Sequence, residues 1–163
     1  MAKQYQFLDV IDRDRAESLF HAAIDMAPLG VEFVPLNESL YRIIAKDIIS
    51  PVNVPSFDRS NYDGFAVVAR DTIGADEEHP VRINLLSQEI PTGCIPETEV
   101  SPQSAASIAT GGMLPRGADA IVMIEHTEVE ESENGARELL VRRPSATGFG
   151  VTYAGTDISE NEV

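Results

Sequence analysis

The chain has 163 residues, 43% hydrophobic and 24% charged. That suits one folded domain with a real core, or two small lobes, and excludes two full domains or a disordered chain. Its 12 Lys and Arg stand against 27 Asp and Glu, a net charge of -15. Such a surface repels phosphate backbones and argues against a nucleic-acid partner. It also obliges an anionic substrate to arrive with a divalent cation or with basic residues lent from elsewhere. Cys94 is the single cysteine, so no intrachain disulfide or thiolate cluster forms, which fits a cytoplasmic protein. The N-terminus runs into Asp9, Asp12 and Asp14 without the apolar stretch of a signal peptide or membrane span.

In chain order, residues 12–27 predict a helix. Asp12 or Asp14 can cap it, and Ala16, Leu19, Phe20, Ala23 and Ala27 share one apolar face, with Pro28 and Gly30 as the stop. A short helical turn is expected from Asn37 as N-cap, with Leu36 stapled on Tyr41. The β-branched run Ile43, Ile44, Ile48 and Ile49 predicts a strand closed by Pro51.

Val54 to Val68 is the densest stretch. Asp63-Gly64 before a β-branched segment signals a tight turn, a hairpin tip on the plainest reading. Turn chemistry alone does not call for Ser56, Asp58, Ser60 and Asp63 crowded beside it, and oxygen-rich loops held between strands are common binding sites.

Beyond it, Val81, Ile83 and Leu85 alternate as a half-buried strand, and the proline-rich segment 91–102 predicts an exposed loop or edge. Ser107–Thr110 and Ala120–Ile124 read as strands flanking a wide loop. There Thr110-Gly111-Gly112 could form a backbone nest for an anion, although no P-loop ending is present. Glu128, Glu130, Glu131 and Glu133 predict the solvated rim of a hairpin turning at Asn134-Gly135 into Leu139–Val141, and Arg142-Arg143 reads as a solvated strand end. His21, His79 and His126 lack zinc-ligand spacing. Many short strands with few helices predict a mainly β fold with an N-terminal helix.

Three motifs in order carry a resemblance. They are Pro55-x-Phe57-Asp58-x-Ser60-x-x-Asp63-Gly64-Phe65-Ala66-Val67, then Thr110-Gly111-x-x-x-Pro115-x-Gly117-Ala118-Asp119-Ala120-Ile121-Val122-x-x-Glu125, then Gly155-Thr156-Asp157-Ile158. With Leu40 to Asp47 ahead of them, the chain resembles the N-terminal half of MoeA-type molybdopterin molybdenumtransferases, the family that includes the gephyrin E domain. The resemblance implies a β-rich complex fold of coiled and bifurcated sheets. Residues 1–50 together with 145–163 would form an elongated helix and strand lobe, 51–144 an inserted β lobe, and a molybdopterin-binding domain would follow Val163.

It further implies insertion of molybdate into adenylylated molybdopterin with release of AMP, assisted by Mg²⁺, in a composite cleft of a homodimer. By motif, Asp63, Thr110 and Asp157 are the implied catalytic residues. Ser60, Gly64, Gly111 and Glu125 are implied substrate-binding positions, and Asp63 and Asp157 implied Mg²⁺ ligands. Short carboxylates suit such an ion, and a phosphoanhydride on a polyanion calls for one.

The third motif departs from the family pattern: Gly150, Thr152 and Thr156 stand where an Asn, an Arg and a Glu are expected. Losing an arginine at an anion site is not neutral. The competing reading is therefore a non-catalytic homologue that binds molybdate or a pterin as a regulator or scaffold. A third is a region that serves dimerisation alone.

Overall fold

The computed structural model describes residues 11–131 and 135–163 and divides the chain into two compact units, 1–46 and 47–163. Asp9, Glu133 and Asn134 lie outside the described residues.

In the first unit, helix α1 spans Arg13–Ala23, and its N-cap is Asp12, whose carboxylate accepts the Arg15 N–H at 2.9 Å. The helix stops four residues short of Ala27. Ile24 is already extended, and the Asp25 carboxylate accepts the Ala27 N–H at 2.9 Å, a local bond that competes with continuing the helix. The expected helical turn is a single 3₁₀ turn, Leu36–Glu38, capped from Pro35, with Asn37 inside it. Leu36 and Tyr41 are both exposed, so the staple does not form; Tyr41 has a left-handed φ of 65° that turns the chain instead. Ile43 and Ile44 form no strand and are exposed, and no described residue of 11–46 is buried.

The second unit holds eight strands: β1 Arg59–Ser60, β2 Gly64–Val67, β3 Val81–Ile90, β4 Ser104–Ile108, β5 Ala120–Met123, β6 Thr127–Glu131, β7 Arg137–Val141 and β8 Val151–Thr152. Six of them make a mixed sheet in the order β5-β2-β4-β3-β7-β6, and β1 pairs with β8. Only β3 and β4 run parallel. The fold is mainly β with one helix, as expected.

Side-chain alternation splits the core into two clusters, one on each face of the sheet. Phe65, Val67, Ile83, Leu85, Val122 and Leu139 belong to one; Ala66, Ile90, Ala106, Ile108 and Ile121 belong to the other. β2 is buried throughout because both faces are covered, and it reads as a continuous apolar run.

Two hairpin expectations are corrected by the pairing. Asp63-Gly64 is not a hairpin tip: β1 pairs with β8, while β2 lies between β4 and β5. Nor do β4 and β5 form a wide hairpin, because β2 separates them. Gly64 is needed for closeness rather than for a left-handed turn, since a Cβ there would meet the Val122 carbonyl oxygen at 2.1 Å. The β6–β7 hairpin forms, with Glu128 and Glu130 exposed on its outer strand and paired with Arg142 and Arg82.

Residues 145–163 are stitched along 50–62 of the same unit. The Asn61 N–H donates to the Gly150 carbonyl at 2.8 Å, Ala154 N–H to the Asp58 carboxylate at 2.8 Å, and Val54 N–H to the Ile158 carbonyl at 2.8 Å. A register shift in β3 between Leu85 and Glu89 brings Glu89 and Ile90 opposite Ser107 and Ile108. This irregularity shapes one wall of the cleft described next.

Candidate active site

The loop after β4 docks on the loop between β1 and β2. Gly111 N–H donates to the Ser60 carbonyl at 2.8 Å, Ser60 N–H to the Gly112 carbonyl at 2.9 Å, and Leu114 N–H to the Asp58 carbonyl at 2.9 Å. Into this junction Asp63 turns its side chain. Its Oδ1 accepts the Thr110 N–H at 2.7 Å and the Thr110 hydroxyl at 3.0 Å. From the other side the Thr92 hydroxyl donates to the Thr110 carbonyl at 2.7 Å.

The anion nest expected at Thr110-Gly111-Gly112 is thus already filled. Thr110 N–H serves Asp63, Gly111 N–H serves Ser60, and Gly112 N–H serves the Ala109 carbonyl. The loop holds the chain's own carboxylate where a ligand anion was anticipated.

Asp63 and Gly64 open on a cleft of about 490 Å³, also lined by Phe65, Glu89, Ile90, Pro91, Ser107, Ile108, Ala109 and Ile124. Asp63 Oδ2 has no hydrogen-bond partner among the described residues. The Thr110 N–H first, and its hydroxyl second, hold the Asp63 carboxyl below the ordinary carboxylate range. An anion so stabilised is a weak base. It is suited to accepting a hydrogen bond or contacting a cation, and poorly suited to proton abstraction near neutral pH.

The structure brings Asp63, Thr110, Ser60, Gly64 and Gly111 together. Ser60 is buried, and its hydroxyl donates to the Tyr62 carbonyl at 2.6 Å, so it braces the loop. Glu125 is exposed in a 3₁₀ turn, Ile124–His126, and does not line the cleft. Asp157 is also outside the lining; its N–H donates to the Val54 carbonyl at 2.9 Å. Among the described residues no group of three or more His, Cys, Asp or Glu side chains is placed to hold a metal ion. Asp63 and Asp157 thus stand without a third such side chain grouped beside them among the described residues. Glu89 and Ser107 were missed. Carried on from Val81, Ile83 and Leu85, alternation puts Glu89 on the core-facing side, and only the register shift before it and the parallel pairing with β4 show that it shares a cleft with Asp63.

The three departures in the last motif are built into the fold. The Thr152 hydroxyl donates to Asn61 Oδ1 at 2.6 Å, and the Thr156 hydroxyl to the Tyr153 carbonyl at 2.6 Å. Gly150 has a left-handed φ of 74°, and a Cβ there would lie 2.9 Å from that of Ile121. None of the three brings a charge.

A β unit laced by its own C-terminal segment around a Thr-held aspartate defines a recognisable class. The family model of the MoeA N-terminal region (domain I and II) matches residues 11–163, and the chain belongs to this family. It is 44% identical over 132 residues to the molybdopterin molybdenumtransferase of Bacillus subtilis (strain 168), covering 81% of this chain and 30% of that protein. It is 32% identical over 131 residues to that of Staphylococcus aureus (strain MSSA476), covering 80% and 30%. The chain thus spans about 30% of the length of these curated relatives. Among solved structures, the molybdopterin biosynthesis moeA protein from Pyrococcus horikoshii OT3 superposes with a TM-score of 0.69 at 35% identity, over 81% of this chain and 33% of that one. A second structure of the Pyrococcus protein gives 0.68 at 38% identity over 94% of this chain and 37% of its own. No described helix is long and apolar enough to cross a membrane.

Proposed function

We propose that this chain is the N-terminal part of a molybdopterin molybdenumtransferase, acting in molybdenum cofactor biosynthesis in the cytoplasm. The substrates are adenylylated molybdopterin and molybdate, and AMP is released. The observation that carries the reading is the Asp63 carboxylate, pinned at Oδ1 by Thr110 with Oδ2 left open at a 490 Å³ cleft. Such a group orients a polar substrate without reorganising during reaction. The cleft of this chain carries Asp63 and Glu89 and no basic side chain. A polyanionic substrate therefore needs cationic groups from a second copy or a following domain, which makes the site composite and the isolated chain inactive. Asp63, with Oδ2 open, is the residue here that would hold Mg²⁺ together with substrate phosphate oxygens, the ion supplying charge neutralisation, and no step is assigned to it.

The test is AMP release from adenylylated molybdopterin and molybdate by the full-length protein, wild type beside Asp63→Asn. Asn keeps the Oδ1 acceptor, so folding survives, and the rate falls by about a hundredfold or more. Equal rates remove Asp63 from the site. A second reading, a molybdate- or pterin-binding regulator or scaffold, is favoured by the uncharged Thr152 and Thr156. A wild type that binds molybdate or pterin yet releases no AMP decides for it.

A further inference from the structure

A second cleft, of about 260 Å³, lies apart from the Asp63 cleft and is lined by Val122, Met123, His126, Arg143, Pro144, Ser145, Ala146 and Phe149. We propose that it binds a tetrahedral oxyanion, free or as a terminal phosphoryl group, between Arg143 and His126.

The charge pattern is the first ground. In a chain with 27 Asp and Glu, this lining contains none, whereas the larger cleft contains two. Arg42, Arg70, Arg82 and Arg142 each stand within 4.0 Å of a carboxylate; among the described residues Arg143 does not, nor do Arg13, Arg15, Arg59, Arg116 and Arg137, and of these it is Arg143 that lines this cleft. Its recorded partner is the His126 ring, with Nη1 3.3 Å from Nε2. In that contact the guanidinium donates and Nε2 accepts, so the remaining Arg143 N–H groups, with the imidazole's other N–H, are the donors left for an anion where the 3₁₀ turn after β5 meets the loop after β7. The apolar walls are the second ground. Val122, Met123 and Phe149 form its apolar side, and a guanidinium–oxyanion pair there is charge-assisted. Phe149 also stacks on Tyr62 with ring centres 5.9 Å apart, so its position is set. Size is the third. The space exceeds that of an oxyanion with several waters, at roughly 30 Å³ per water.

The test titrates the 163-residue chain with inorganic phosphate, molybdate and adenosine monophosphate at constant ionic strength, following backbone amide shifts by NMR. Saturable shifts confined to 121–126 and 143–149 are expected. Arg143→Gln should weaken binding by roughly tenfold or more, since a charge-assisted hydrogen bond is removed. His126→Gln should weaken it a few-fold, and Arg70→Ala, outside the cleft, should leave it unchanged. Amide dispersion confirms that each variant is folded, and the uncharged Arg143→Met stands in if Arg143→Gln is not. Tighter binding of the nucleotide, with shifts at the Phe149 ring, assigns the site to a phosphomonoester; equal binding of all three assigns it to the free oxyanion. Linear shifts without saturation, or undiminished binding by the Arg143 variant, overturn the proposal.

Discussion

Gly64 and the Val122 carbonyl approach so closely across β2 and β5 that a Cβ on Gly64 would sit 2.1 Å from that oxygen. The obstacle is backbone of the edge strand β5, so it cannot swing aside like the end of a side chain. Gly64→Ala should therefore destabilise the protein by about 1–3 kcal/mol or more, the range of overpacked cores. Urea unfolding measures it, and an unchanged midpoint would show that β5 is free to move away from β2.

Asp63 supplies a prediction about acid. Its folded pKa is depressed, the Thr110 N–H being the larger cause and the hydroxyl the smaller. The sign follows directly: the stabilisation is present above the unfolded value, about 3.9, and is lost as pH falls through the lower folded value. Thr110→Val deletes only the hydroxyl, so the Asp63 pKa, read by carboxyl ¹³C NMR, should rise and still remain below ordinary. Asp76, held low by the N–H of His79 first, titrates in the same acid range and serves as an internal reference that does not move. A Thr110→Val value identical to wild type would remove the hydroxyl bond from the account.

The core makes a plainer forecast. Ile83 is 1% exposed within its cluster, and Ile83→Ala should cost about 2–5 kcal/mol. Ile43, at 95% exposed, should give a change within about 0.5 kcal/mol on replacement by Ala in the dissociated chain. Parallel denaturation curves at low protein concentration compare the two.

The exposed apolar side chains of 11–46, among them Leu19, Phe20 and Ile44, exceed what a lone surface usually shows. With the homodimer that the family resemblance implies, sedimentation at micromolar concentration should give a two-fold species. The double change Leu19→Glu, Phe20→Glu should return it to monomer with α1 intact. A monomeric wild type would mean that the 163-residue chain does not supply the interface.

Local signals were legible where the chain talks to itself. Asp12 announced α1 because a cap and its N–H are three residues apart, and β3 showed in the alternation of Val81, Ile83 and Leu85. Partnership across the chain was not. An Asp-Gly step says that the backbone can turn; it does not say which strand arrives beside it, so β2 was given the wrong neighbours. The run at Ile43 looked like a strand because β-branched residues suit a sheet, yet no edge pairs with it. At the site, Asp63 and Thr110 stood out by residue type and motif, but their bond spans 47 positions and no periodicity records it. Glu89 stayed hidden for the same reason.

The stitching of 145–163 onto 50–62 gives the protein a tether with a defined point of action. Two residues ahead of Asp63, the Asn61 N–H donates to the Gly150 carbonyl and its side-chain oxygen accepts from the Thr152 hydroxyl, while the Ser60 carbonyl accepts the Gly111 N–H on the far side. Tension applied to the tail would be delivered to that short span before it reached the six-stranded sheet. Detaching that segment would free Asn61 beside the site, while Asp63 keeps both of its bonds to Thr110.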